Sequence, residues 1–241
     1  MLRCLIYSLL VVLATGAFQN TPNELYARFI TPGVTLMPSI GNGYVSTFLQ
    51  SGEVYIAGLF NGFLDIAPSH RAVVPSPVNY TISIVNDPSY KLVNGGYLFD
   101  VEKAIFSQFW AVEKNNTQVA AIEQRWFAHR NHRSLIVHQL IVDNLQNNNV
   151  LPLSLNNNAQ YTSEDIFLEE VKSTNSQVLL FNGKIKHAEA INGQVVQMAL
   201  CTSKDLDINV PASLSVTYYS LSTFRTDIYG DSQFPTTDAA K

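Results

Sequence analysis

Cysteine is nearly absent from this chain: Cys4 and Cys201 are the only two among 241 residues. Cys4 falls in a segment expected to be removed, so the mature protein keeps one thiol and no internal disulfide can staple it. Charge is sparse as well. Asp, Glu, Lys and Arg make up 14% of the residues, against roughly 25% in an average soluble protein. The net charge of −4 leaves no basic field to hold nucleic acid or anionic lipid, so neither is an expected partner. Beyond the N-terminus no apolar run approaches the ~20 residues of a membrane-spanning helix. Stability must therefore come from core burial, and 46% hydrophobic residues over this length can build a sizeable core.

The N-terminus reads "MLRCLIYSLLVVLATGAFQN". Arg3 supplies a positive start, Leu5 to Leu13 an apolar stretch, and Thr15 and Ala17 the small residues of a cleavage site. This is the pattern of a secretory signal peptide spanning residues 1–17, with the mature protein starting at Phe18. Its apolar stretch is too short to anchor the protein in a membrane, so no membrane association is expected after cleavage. The expected location is secreted or within the secretory lumen. Export gives meaning to two sequons, Asn79-Tyr80-Thr81 and Asn115-Asn116-Thr117, which make Asn79 and Asn115 glycosylation candidates.

"TPNELYARF" opens the mature chain with a short helix signal: Thr21 as cap, Pro22 at the first helical position and Glu24 completing a capping box. After it, helical periodicity nearly disappears. Short β-rich runs follow, among them "YVSTFL", "EVYIAG", "NYTISIV", "KAIFSQFWAVE", "QVAAIEQRWFAH" and "RSLIVHQLIVD". Later candidates are "VLPLSL", "QVLLFNG", "KIKHAEAI", "QVVQMALC" and "SLSVTYYSL". Turns are expected at Ser51-Gly52, Asn94-Gly95-Gly96, Asn182-Gly183 and Asn192-Gly193. Asn147–Asn149 and Asn156–Asn158 read as loops, and Pro152 pushes its strand to a sheet edge. The pattern is that of an all-β protein, a large antiparallel β-sandwich.

Candidate chemistry centres on "HRNHRSLIVHQLIV", which carries His129, His132 and His138. Alternation puts His138 on one face of a strand apolar on both sides, the place of a hydrogen-bonded core histidine. His129 and His132 sit at a turn without the nearby third ligand a metal site needs, so no metal is expected. In "APSHRAVVPSP" a proline-framed loop presents His70 and Arg71, with Ser69 beside them but no nucleophile elbow. Arg71 is placed either to hydrogen-bond a sugar hydroxyl or carboxylate or, with more weight, to brace the loop. "IGNGY" fits no phosphate-binding pattern and reads as a turn. Phe109, Trp110, Trp126 and Phe127 lie inside strands, where core packing outranks a sugar-stacking platform. The acidic residues define no catalytic pair by spacing alone.

"MPSIGNGYVST", "EVYIAGLFNGF", "SHRAVVPSPVNYTI", "YLFDVEKAIFSQFW" and "QRWFAHRNHRSLIVHQLIV" follow one another in an order and spacing that resemble the N-terminal domain of glycoside hydrolase family 65. The likeness is to the protein-glucosylgalactosylhydroxylysine glucosidase and acid trehalase branch. It runs from about Met37 to Val142 and thins to a β pattern through Tyr219. It implies an antiparallel β-supersandwich of the galactose-mutarotase shape, over residues 18–225, with 226–241 as the start of a linker to a C-terminal (α/α) barrel. That barrel, the expected partner, carries the family's catalytic carboxylates, so the resemblance assigns no catalytic residue and no cofactor to this sequence. The full enzyme would hydrolyse an α-glucoside, and His70 and Arg71 are the candidates to approach its substrate. The competing expectation is a stand-alone carbohydrate-binding or interaction protein. A β-sandwich enzyme with its own carboxylate pair ranks last.

Overall fold

The computed structural model describes residues 22–28, 37–63, 67–85, 87–187 and 197–227. The expected cleavage site, Thr21, Asn192-Gly193 and the linker from residue 228 onward lie outside the described residues. The chain opens with β1 (Glu24–Ala27), β2 (Ser39–Gly41), β3 (Val45–Phe48), β4 (Glu53–Ile56) and β5 (Phe60–Phe63). There follow β6 (Ala67–Arg71), β7 (Val74–Pro75), β8 (Tyr80–Ile84), β9 (Tyr90–Asp100) and β10 (Ile105–Lys114). Next come β11 (Thr117–Ala128), β12 (Leu135–Asp143), β13 (Leu151–Asn157) and β14 (Ile166–Val171). The last are β15 (Val178–Ile185), β16 (Gln197–Ser203), β17 (Leu206–Val210) and β18 (Ser215–Thr226). The described residues form an all-β protein of antiparallel sheets with no helix.

Nine strands make the main sheet, in the order β1-β9-β10-β11-β12-β18-β16-β15-β14. Three smaller sheets, β17-β13-β8, β2-β3-β4-β7 and β5-β6, complete the fold. Alternation along the long strands decides how they stack. Ala120, Ile122, Gln124 and Trp126 of β11 are buried at every second position, as are Ile136, His138, Leu140 and Val142 of β12. One end of that face packs against Ile40, Val45, Val54, Ile56 and Val74 of the four-stranded sheet. The other end packs against Leu151, Leu153, Leu155, Ile208 and Val210 of the three-stranded sheet. Fully buried side chains such as Phe224, Ile136 and Leu151 contribute about 1.5–3 kcal/mol each.

The two cores meet along a polar seam. His138 and Gln124, both buried, lie between them, and Tyr80 stacks on the His138 ring with centroids 4.6 Å apart. Trp126 closes the seam from the other side, its Nε1 donating to the Val78 carbonyl at 3.0 Å. Trp110 packs against the second core, as expected of a strand aromatic. On the outward face of β12, Leu135, Gln139 and Ile141 are half-buried and Val137 is buried.

Several local expectations are corrected. "ELYA" is not the start of a helix but strand β1, paired with β9 from Glu24↔Asp100 to Ala27↔Tyr97. A short isolated helix is marginal, whereas the edge of β9 offers ladder hydrogen bonds and a carbonyl, that of Gly95, for Tyr26 Oη at 3.2 Å. Asn94-Gly95-Gly96 does not turn the chain. It forms a bulge inside β9, where Gly96 takes φ +111° and lets Tyr26 approach where a Cβ would stand 2.6 Å from its hydroxyl. Asn182-Gly183 lies within β15, paired on both edges, so the ladder overrides its turn preference.

Pro152 sits in β13, the middle strand of its sheet rather than an edge. Its carbonyl accepts from Val85 N at 3.1 Å, beyond the last paired rung Leu153↔Ile84. The nitrogen of the same residue lies at that ladder end, so proline there removes a donor only from the terminal rung. Asn156 and Asn157 likewise belong to β13 and not to a loop. The segment 67–71 expected as a loop is strand β6, paired with β5.

Candidate functional site

The three histidines of "HRNHRSLIVHQLIV" part company. His129 Nδ1 accepts the backbone N–H groups of His132 at 3.0 Å and Asn131 at 3.2 Å, so the ring caps the β11–β12 connection. Asn42 of "IGNGY" clamps the same connection, donating from Nδ2 to the carbonyls of His129 and Arg133 at 2.9 Å each. His138 is wholly buried, and burial pushes its pKa down to about 3, so it stays neutral. These contacts make the stretch a braced hairpin leading into a core strand.

His70 and Arg71 end β6, but the structure separates their surroundings. The β5–β6 hairpin is pinched at Gly62, whose φ is +145° and where a Cβ would lie 2.5 Å from Ser69 Cα. That close pairing aims His70 at Asp165, at the start of β14. His70 Nε2 donates to Asp165 Oδ1 at 2.9 Å and Nδ1 donates to the Pro68 carbonyl at 3.0 Å. Both ring nitrogens face acceptors, an arrangement that suits the imidazolium. The Pro68 carbonyl, followed by the Asp165 carboxylate, accordingly raises the His70 pKa. Arg71 is exposed, pairs in register with Phe60 and is not among the residues lining the cavity described below.

Asp165 is the hub. Its Oδ2 accepts from Val73 N at 2.8 Å, and its Oδ1 also accepts from Asn61 Nδ2 at 2.9 Å. Burial opposes its charge, but the Val73 N–H, His70 and Asn61 outweigh that and hold its pKa below the ordinary value. Asn61 completes the clasp by accepting from His187 N at 2.9 Å. Ser163 Oγ donates to the Val73 carbonyl at 2.7 Å and accepts from Asp165 N at 3.0 Å. Sequence reasoning missed Asn61, Ser163 and Asp165. His70 and Asp165 are 95 positions apart, and no local motif announces the pairing.

Beside this clasp opens a cavity of about 620 Å³ whose wall includes Gln50, Glu53, His70, Asn79, Gln160 and Asp165. Asn79, a sequon residue, is held from behind: its carbonyl accepts from Asn158 N at 2.9 Å. The other sequon residue, Asn115, is exposed at the tip of the β10–β11 hairpin. Among the described residues no group of three or more His, Cys, Asp or Glu side chains is placed to hold a metal ion.

The comparisons with known proteins fit this picture. A curated relative, protein-glucosylgalactosylhydroxylysine glucosidase from Dictyostelium discoideum, is 24% identical over 204 residues. That match covers 80% of this chain and 27% of the relative. The chain is thus homologous over most of its length to this glycoside hydrolase family 65 glucosidase. A solved structure provisionally described as kojibiose phosphorylase, from the human microbiome, shares the fold with a TM-score of 0.60 at 11% identity. It is covered over 34% of its length by 89% of this chain. The chain thus resembles the N-terminal β-rich portion of family 65 enzymes and spans about a third or less of the two proteins it matches. No family model matches the sequence.

Proposed function

We propose that this chain forms the non-catalytic N-terminal module of a secreted family 65 α-glycosidase, a β-supersandwich of the galactose-mutarotase shape. The observation that carries the reading is the unequal coverage: homology runs over 80% of this chain but only 27% of the glucosidase it matches. In this reading residues 1–17 are the signal peptide, 18–225 the module and 226–241 the start of the linker to an (α/α) barrel. The barrel supplies an acid and a base ~6.5–9.5 Å apart for inverting hydrolysis of an α-glucosidic bond. The module braces the barrel and shapes the rim of its cleft, with glycans on Asn79 and Asn115.

Two features support that division of labour. The outward face of β18 exposes Tyr219 at 60% and Leu221 at 48%, opposite Gln139 and Val137 of β12. Apolar surface of this kind on a soluble protein suits a docking contact. Exposed Arg71, at the end of β6, leaves a cation on the module surface that a cleft rim can use.

A domain exchange tests the reading. Replacing the matching part of the Dictyostelium glucosidase with residues 18–227 of this chain should give a secreted chimera that keeps glucosidase activity. An unrelated β-sandwich in the same place should not. A folded chimera with an intact barrel and no activity would count against the reading.

A further inference from the structure

The cavity beside the His70–Asp165 clasp has a chemistry of its own. Its volume of about 620 Å³ falls within the ~300–1,000 Å³ range of small-molecule sites. Such sites are mostly apolar, whereas this wall carries four side-chain amides, Gln50, Asn79, Asn158 and Gln160, and the carboxylates of Glu53 and Glu164. An anion finds no free cation in that wall. His70 is committed to Asp165 and to the Pro68 carbonyl, and the carboxylates repel negative charge. A metal ion is not served either, since no group of three or more ligating side chains converges among the described residues. An apolar ligand would strip water from amides and carboxylates without replacing their hydrogen bonds.

What matches is a neutral ligand rich in hydroxyl groups, each of which both donates and accepts, and side-chain amides offer both roles. We propose that this cavity binds a short neutral saccharide, of one or two pyranose units, through those amides and the two carboxylates. Val73, Pro75 and Ala159 supply apolar contact for the C–H face of a ring. The polar groups are partly pre-set. Glu53 is held by Tyr55, whose hydroxyl donates to it at 2.6 Å, and Asn158 Nδ2 donates to Thr81 Oγ1 at 3.0 Å, which leaves its carbonyl oxygen to the ligand. No aromatic residue stands in the wall to stack on a sugar, so the affinity is weak, with a Kd on the order of 1–10 mM. The site does not depend on the barrel.

The pyranose can come from two sources: a free saccharide, or the first sugars of a glycan on Asn79, which lines the same cavity. Protein made in bacteria, without glycans, should be titrated by ligand-observed NMR with glucose, galactose, maltose and N-acetylglucosamine. At least one should bind saturably. Binding should fall at least about tenfold in a Gln160→Ala/Glu164→Ala variant and be unchanged in Gln139→Ala, on the outward sheet face. Both changed residues of the double variant are exposed, and an unaltered melting temperature confirms its fold. The titration is then repeated on protein carrying the Asn79 glycan. Binding that persists assigns the site to free saccharide, and binding that disappears assigns it to the chain's own glycan. Absence of saturable binding for every sugar up to about 50 mM in the bacterial protein, or equal binding in the double variant, overturns the proposal.

Discussion

His138 Nε2 donates a 3.0 Å hydrogen bond to Gln124 Oε1 in the seam between the two cores. The ring is fully buried, sandwiched between Tyr80 and Trp126, and its Nδ1 has no hydrogen-bond partner. A proton added there would be a buried charge without a counter-ion, which is why its pKa falls to about 3.

That arrangement gives the fold an acid sensitivity. In the unfolded chain His138 titrates near its ordinary ~6.5, so above that pH neither state takes the proton. As pH falls from about 6.5 toward 3 the unfolded state binds the proton first, and stability drops. Urea unfolding should show His138 costing on the order of 2 kcal/mol or more between pH 6.5 and 4. His138→Leu should be less stable at pH 7, because Gln124 loses its donor, yet show a flatter decline with acid. Parallel curves for the two proteins would contradict this.

Much of the fold was legible because long amphipathic strands announce themselves. The alternation in "QVAAIEQRWFAH" and "RSLIVHQLIVD" corresponds to β11 and β12, paired from Ala121↔Asp143 to Ala128↔Ile136. The pattern failed where pairing outweighs local preference. Asn-Gly and Asn-Gly-Gly are strong local turn signals, yet ladders on both edges hold 182–183 in β15, and pairing with β10 absorbs 94–96 as a bulge inside β9. The genuine two-residue turn was Asn115-Asn116, with φ 52° and 59°, which joins β10 to β11 and had been legible only as a sequon. Half of the site was legible for the same reason. His70 stood out in a compact motif, but its partner Asp165 comes from the far end of the fold, and only tertiary packing brings them together.

Asp165 carries more of the clasp than His70. Asp165→Ala strands the Val73 N–H and Asn61 Nδ2 near the protein interior and should cost about 3 kcal/mol by chemical denaturation. The His70 ring is 49% exposed, so water screens its pair and His70→Ala should cost under about 1 kcal/mol. The sign of its pH dependence is opposite to that of His138. With the folded pKa raised, its contribution is complete below the unfolded value of ~6.5 and disappears as pH rises through the folded pKa. A larger loss in His70→Ala than in Asp165→Ala would reverse this ranking.

The β10–β11 turn makes a third test. Both central residues are left-handed, a geometry that favours Asn and Gly and penalises β-branched side chains. Asn116→Gly should leave stability unchanged or slightly raised and keep the sequon. Asn116→Val should lower it by about 1–2 kcal/mol. Equal melting temperatures for the two variants would show that the turn does not set the hairpin.

The most direct measurement is turnover by the chain itself. Residues 18–241, purified after secretion, should be assayed against trehalose, kojibiose and glucosylgalactosyl-hydroxylysine. The non-catalytic reading predicts no hydrolysis above the buffer control. Clear turnover that disappears on changing a single carboxylate of this chain would contradict it and make the β-module an enzyme in its own right.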